Sequence, residues 1–267
     1  MKKTLSLLLI ACLLAWIPSL STAGQEEAAL QAVRKAVSGE FSRLDAALTE
    51  AARKIGKTGL TGEGARSALA ALCDEFTFAV DCTAVDPRGR MVTVEPPAYR
   101  EVEGTEIGDQ AQVRQVIRTK KPVLSSVFRA VEGFDAADIE YPVLDRKGRY
   151  IGSVSLLFKT EVFFAQLLER LVQDCPLDIC VMEKKGRVIY DPDLGQIGHN
   201  LFTSPLYRSY PELLKLGKRI ATLQEGRGSY RYRVRGEERT ARKSAAWTTA
   251  TLYGTPWRIV GIRVEPD

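Results

Sequence analysis

Between Gln25 and Ile55 the apolar positions Leu30, Val33, Val37, Phe41, Leu44, Leu48, Ala52 and Ile55 follow one another at intervals of three or four, with no proline among them. That spacing lays one apolar stripe along a single amphipathic helix. At 1.5 Å per residue the helix reaches about 45 Å, more than the width of a small domain. It must brace more than one module or pair with another helix. Gly56, Gly59, Gly62 and Gly64 then mark a turn, and Ala65 to Glu75 reads as a second helix.

A second feature points to two modules. Ile139 to Phe158 holds two strand-length apolar runs around Asp145-Arg146-Lys147-Gly148, an Asx-started turn closed by glycine, and so reads as a β-hairpin. In its second strand Ser153, Ser155 and Leu157 alternate with Val154, Leu156 and Phe158, giving one face for a core and one that offers hydroxyls to a cavity or to water. The turn recurs as Asp86-Pro87-Arg88-Gly89-Arg90 and Glu183-Lys184-Lys185-Gly186-Arg187. Two copies are followed by a similar signature, Ile107-Gly108-Asp109-Gln110 and Ile197-Gly198-His199-Asn200. An internal duplication follows.

Strand-type runs fill out both halves. The first is expected to contain strands at Phe78–Val85, Met91–Glu95, Val123–Phe128, Ile139–Leu144 and Tyr150–Phe158, with a helical insert from Gly108 to Lys120. After a helical connector, Glu161 to Val172, the second repeats the order at Asp178–Met182, Arg187–Tyr190, Ser229–Arg235, Arg242–Leu252 and Trp257–Val264, with an insert helix from Pro211 to Leu223. Short hairpins make both sheets antiparallel, so the class is α+β.

Lys2 and Lys3, the apolar run Leu5 to Ile17, Pro18 and the small residues Ser21-Thr22-Ala23 predict a secretory signal peptide over residues 1–23. Leu9-Ile10-Ala11-Cys12 superficially fits a lipoprotein box, but cleavage there would leave Leu13 to Leu20 as a hydrophobic start to the mature chain. The run is short for a membrane span, and no later segment could form one, so the expected location is periplasmic or secreted. In an oxidising compartment, Cys73 with Cys82 and Cys175 with Cys180 read as two local disulfides. Zinc is the competing reading, but neither spacing is that of a ribbon and the only histidine, His199, is remote.

These residues together resemble the double Cache domain of extracytoplasmic sensors. The likeness is best around Gly89-Arg90, Glu95-Pro96-Pro97-Ala98-Tyr99, Ile107-Gly108-Asp109-Gln110, Lys121-Pro122-Val123-Leu124-Ser125 and Val131-Glu132-Gly133-Phe134. It implies a long helix (with the second helix, residues 24–76) bracing two PAS-like modules, each with a five-stranded antiparallel sheet: a membrane-distal type at 77–160 and a second at 161–267. It further implies small-molecule binding in the first module, between the sheet and the insert, and no catalysis. The arginine and tryptophan-tyrosine pattern of amino-acid binders is not apparent in Val127-Phe128-Arg129-Ala130, nor is an aspartate on the last strand, which disfavours an α-amino acid; Arg129 favours an anion, so an organic acid or similar metabolite is the expected ligand. The chain ends at Val264-Glu265-Pro266-Asp267 directly after its last strand, which reads as a free-standing member whose partner would be a membrane receptor or another signalling protein.

For the pocket the candidates are Tyr99, Ser126, Phe128, Arg129, Tyr141, Ser153 and Ser155, aromatic walls with a few polar groups. Plain core for Phe128 and Tyr141, simple strand filling for the serines, and a solvated place for Arg129 are the alternatives. No cofactor or metal is expected: no phosphate-binding glycine loop is present, and Asp191-Pro192-Asp193 with Gly195 lacks the rest of a calcium loop. His199 would be needed for a serine triad, but its place in a loop signature suits capping. In the basic run from Lys218 to Lys243, Arg231, Arg233 and Arg235 alternate with Tyr230, Tyr232 and Val234, as on a strand with one solvated face. A secreted destination argues against nucleic acid. The rival functional reading is a scaffold that docks a partner protein through this face.

Overall fold

The computed structural model describes residues 22–169, 171, 177–237 and 239–266. The leader expected over residues 1–23 falls almost wholly outside them, as does Cys175. Helix α1 (Thr22–Thr58) is 37 residues long, about 55 Å end to end. All eight apolar positions of its stripe are buried. It packs on α2 (Glu63–Glu75) and on strands of both sheets. Gly56 lets its last turns lie directly on a strand, because a Cβ there would stand 2.2 Å from the Leu144 carbonyl oxygen.

The first sheet contains β1 (Ala79–Val85), β2 (Met91–Glu95), β3 (Val123–Leu124), β5 (Asp135–Leu144) and β6 (Tyr150–Phe158), in the order β2-β1-β6-β5-β3, with β4 (Phe128–Arg129) pairing separately with β5. Helix α3 (Ala111–Thr119) covers its outer face, and α4 (Thr160–Glu169) leads to the second module. There β7 (Asp178–Glu183), β8 (Val188–Tyr190), β9 (Gly226–Arg233), β10 (Thr240–Leu252) and β11 (Thr255–Val264) take the order β8-β7-β11-β10-β9, with α5 (Pro211–Thr222) in the insert. Counting strands within each module, both sheets run second, first, fifth, fourth, third. All pairings are antiparallel.

The duplication extends to single hydrogen bonds, and these correct one expectation. In all three recurring turns the glycine N–H donates to the acidic residue's carbonyl, and Gly89, Gly148 and Gly186 adopt φ of 91°, 75° and 93°. Further on, Gly104 N donates to the Met91 carbonyl as Gly198 N does to that of Val188, and Ile107 N donates to Gly89 as Leu201 N does to Gly186. The structural counterpart of Gly198 is therefore Gly104, not Gly108, and His199 matches Thr105 rather than Asp109. The similarity in letters between the two signatures lies four residues out of step with the backbone.

A second expectation, one continuous strand from Val123 to Phe128, is also corrected. Val127 N donates to the Glu183 carboxylate of the second module, at 2.8 Å, instead of to β5. The strand therefore breaks into β3 and β4. One shared core joins the modules: Phe41 on α1 meets Trp257 on β11 at 5.2 Å between ring centroids, and Phe163 meets Phe78 and Phe164 at 5.0 and 4.9 Å.

Cys73 and Cys82 hold their Sγ atoms 2.7 Å apart, Cys82 fully buried. Protein folded under oxidising conditions is expected to have these two joined. Intact mass before and after reduction, with alkylation of the unreduced protein, checks this; labelled Cys73 and Cys82 in unreduced material would refute the pairing.

Candidate functional site

Two regions sit between a sheet and its insert. In the first module Phe128 and Ser155 line a space of about 20 Å3 together with Asp81, Thr83, Glu132 and Asp138, room for a single water. Ser155 Oγ donates to Asp138 Oδ1 at 2.6 Å, Gln112 Nε2 to Asp138 Oδ2 at 3.4 Å, and Thr83 Oγ1 to Asp81 Oδ1 at 3.0 Å. Ser153, next along β6, is buried with its Oγ unpartnered among the described residues, as are both carboxylate oxygens of Glu140. Burial pushes the carboxyls of Asp81 and Glu140 well up and that of Asp138 to about 7. The alternation that places Ser153 and Ser155 on this face also puts Glu140 there, so the hairpin contained the signal for that acid; Asp138 joins it because β5 starts at Asp135, ahead of the expected Ile139.

The other candidates lie elsewhere. Tyr141 points to α1, where its hydroxyl accepts from Thr49 Oγ1 at 2.8 Å and its ring meets Tyr253. Tyr99 is half-buried in a 3-10 turn over Pro97–Val102, packed with Val85, Met91 and Val94. Ser126 and Arg129 are exposed. The structure brings Phe128, Ser155 and Ser153 to one sheet face and does not bring the seven into one cavity.

The second module holds a cleft of about 410 Å3, open on one side. Its floor is the inward face of the sheet: Cys180 and Met182 on β7, Tyr230 and Tyr232 on β9, Lys243 and Ala245 on β10, Val260 and Ile262 on β11. Leu213, Leu216 and Ile220 of α5 roof it. Asp191 to Asp193 and Arg233 to Glu237 form the rim. Gly226 and Gly228 keep the β9 edge thin, since a Cβ would meet Trp247 at 2.3 Å and Leu216 at 2.5 Å respectively. Buried Arg258 fastens the end of α5, with Nε donating to the Ile220 carbonyl at 2.8 Å.

Among the described residues Gln196, Asp191 and Asp193 in this cavity are hydrogen-bonded, whereas the Lys243 ammonium and the Tyr230 hydroxyl are not. Gln196 Oε1 accepts from Tyr207 Oη at 2.8 Å, and its Nε2 donates to Tyr232 Oη and Asp193 Oδ2, both at 3.1 Å. Asp191 accepts from Asp193 N at 2.8 Å, and burial pushes its carboxyl to about 6. Lys243 is 8% exposed, and its Nζ stands 5.6 Å from the Tyr232 ring centroid. Among the described residues its ammonium has no hydrogen bond or ion pair, and burial pulls its pKa down.

His199 is exposed, its Nδ1 3.1 Å from Ser204 Oγ, which also accepts from Leu206 N; the pair shapes a loop. No cluster of three or more His, Cys, Asp or Glu is placed to hold a metal ion among the described residues.

Residues 39–160 match the family model of the HK/GC/Chemotaxis protein-like sensor domain. The extracellular ligand binding receptor from Desulfohalobium retbaense DSM5692 superposes with a TM-score of 0.76 at 32% identity, over 90% of this chain and 40% of that one. The chain is thus similar to extracellular ligand-binding sensor domains of the double Cache type. It spans 40% of the length of that receptor. The ligand-binding domain of the Pseudomonas fluorescens chemoreceptor CtaA in complex with L-alanine matches at 14% identity and a TM-score of 0.61, over 90% of this chain and 94% of that one. That of the Pseudomonas aeruginosa PAO1 amino acid chemoreceptor PctB in complex with L-Gln matches at 14% and 0.59, over 90% and 88%. No curated protein sequence matches the chain significantly. In the second module the sequence reading missed Lys243 because it stands in a basic run; only its register opposite Tyr230, between exposed Arg242 and half-buried Ser244, turns it inward.

Proposed function

We propose that this chain is an extracytoplasmic small-molecule sensor that takes its ligand into the cavity of the second module. The observation that carries this is the open-mouthed space under α5, whose 410 Å3 lies within the range of about 300–1,000 Å3 typical of ligand pockets. Its lining is mostly apolar with a few convergent polar groups, as such sites require. The sensing itself would run through contacts between modules. Glu183 accepts from Val127 N, Thr255 Oγ1 donates to the Leu124 carbonyl at 2.7 Å, and Arg187 pairs with Asp135 at 2.5 Å. A shift of β7 or β11 on ligand entry would reach the β3–β4 segment of the first module. A membrane receptor or another signalling protein would receive the message; among the described residues no helix is long and apolar enough to cross a membrane.

A second reading keeps the ligand in the first module, as the family resemblance implies, and the unpartnered oxygens of Glu140 and Asp81 favour it. Thermal-shift screening against organic acids, amines, amino acids, nucleobases and sugars separates the two. A ligand at one hundred times its Kd adds about 2.7 kcal/mol, a rise of roughly 5–10 °C for a concerted transition. Ala245→Phe, which fills the second-module floor, is expected to abolish the rise, and Ser155→Leu to leave it. The reverse pattern would place the ligand in the first module. No rise with any compound would favour the scaffold reading, docking through exposed Arg231 and Arg233.

A further inference from the structure

We infer that the ligand of the second-module cavity is a carboxylate on an apolar body, with its charged end seated on Lys243. This rests on the reading of that cavity as the ligand chamber, and it assigns the chemistry the chamber selects.

The argument turns on which charged groups are already satisfied. The Lys243 ammonium opens onto a mostly apolar space and keeps only the water that space holds, so an anion seated there would give it a stronger partner. Lys243 has an aromatic ring at cation–π distance and, among the described residues, no acceptor. It stands on the cavity floor between Ala241 and Ala245, two small inward residues that leave space around its stem. Its cross-strand neighbours Tyr230 and Val264 offer no carboxylate.

The rim carboxylates, by contrast, are engaged. Asp178 stands 3.6 Å from Arg235. Asp193 accepts from Gly195 N at 3.1 Å and from Gln196. Asp191 accepts from Asp193 N and also faces the Cys180 thiol. A cationic ligand would compete with Arg235 and Gln196 for the rim carboxylates, whereas an anionic one gives Lys243 an acceptor without breaking a bond. Asp178 and Asp191 still contribute a field that holds Lys243 protonated, against the burial that disfavours its charge.

The rest of the ligand is set by the walls. Leu201, Leu213, Leu216, Ile220, Val260 and Ile262 present hydrocarbon toward the space. They favour a ring or a branched chain over a sugar or a second charge, whose polar groups would lose water without replacement. Displacing the cavity's water with such a body is favourable in proportion to the apolar area covered.

The test is isothermal titration of the chain at pH 7 with benzoate, phenylacetate, 3-phenylpropanoate and 4-methylpentanoate, each beside its neutral amide and its amine analogue. At least one acid is expected to bind, at least tenfold more tightly than its amide. Lys243→Met should bring that acid down to the affinity of the amide, and Lys243→Arg should retain part of the preference. Because Lys243→Met removes a buried charge, it should melt no lower than the parent, which excludes misfolding as the cause. Binding of amides or amines as tight as that of the acids, abolished by Ala245→Phe, would overturn the carboxylate inference and leave the chamber standing. Acid binding untouched by Ala245→Phe would overturn both. Failure of every acid, or equal acid affinity in Lys243→Met and parent, would overturn the inference.

Discussion

Phe41→Asp is expected to abolish the cooperative thermal transition of this protein. Phe41 is 2% exposed at the point where α1 crosses from one module to the other, its ring 5.2 Å from Trp257 and 6.2 Å from Phe163. Losing a buried phenylalanine of this kind costs about 3–5 kcal/mol through lost burial and the cavity left behind. A carboxylate in its place adds the penalty of an unpaired buried charge, again several kcal/mol. Domains have about 5–15 kcal/mol to lose, so the sum reaches the whole. Ser42→Asp, one residue on and exposed, is the matched control and should melt within a few degrees of the parent. Circular dichroism melts of the two variants check this. A Phe41→Asp protein that melts like the parent would mean that α1 does not brace the modules in solution.

That helix was legible in the sequence because its stripe is local: every buried position is set by a period of three or four residues. The three acid-to-glycine turns were legible for the same reason, since a positive φ closed by glycine leaves its mark in four residues. What escaped depends on contacts between distant segments. Val123 to Phe128 looks like one strand, and only Glu183, from the other module, shows why it divides. The Gly198 alignment failed because resemblance between Ile107-Gly108 and Ile197-Gly198 is a matter of letters, whereas the backbone pairs Gly198 with the role of Gly104. Alternation correctly gave Ser153 and Ser155 their face but could not say how closely the insert covers it. Nor could it show that the corresponding face of the second module is left open by two glycines, two alanines and a roof of leucines. Lys243 is the sharpest case: among neighbours of the same charge, one residue of register separates a solvated arginine from a buried lysine.

The first module's acids give the other large expected effect, a stability that falls as pH rises. Asp138 is 3% exposed, with burial pushing its carboxyl from an ordinary 3.8 to about 7 against the opposing bonds from Ser155 and Gln112. Between those pH values the folded protein holds a proton that the unfolded chain has released. Stability therefore declines through that window and levels off above the folded value. A tenfold difference in proton affinity between the folded and unfolded states corresponds to about 1.4 kcal/mol, so Asp138 alone sets a scale of about 4 kcal/mol. Asp191 in the second module acts in the same direction. Asp81, Glu132 and Glu140 face the same region, all acidic, so ionising any one raises the cost of the next. Asp138→Asn keeps an oxygen to accept from Ser155 or Gln112 and cannot ionise. It is expected to flatten the slope and to melt above the parent at pH 8. Thermal melts from pH 4 to pH 8 on both proteins decide the matter. A parent whose melting temperature climbs with pH, or an Asp138→Asn protein less stable than the parent at pH 8, would show the carboxylate held ionised. Since the titratable groups named around it are all acids, the cation responsible would then have to be a bound one, and the polar face of the first module would become its seat.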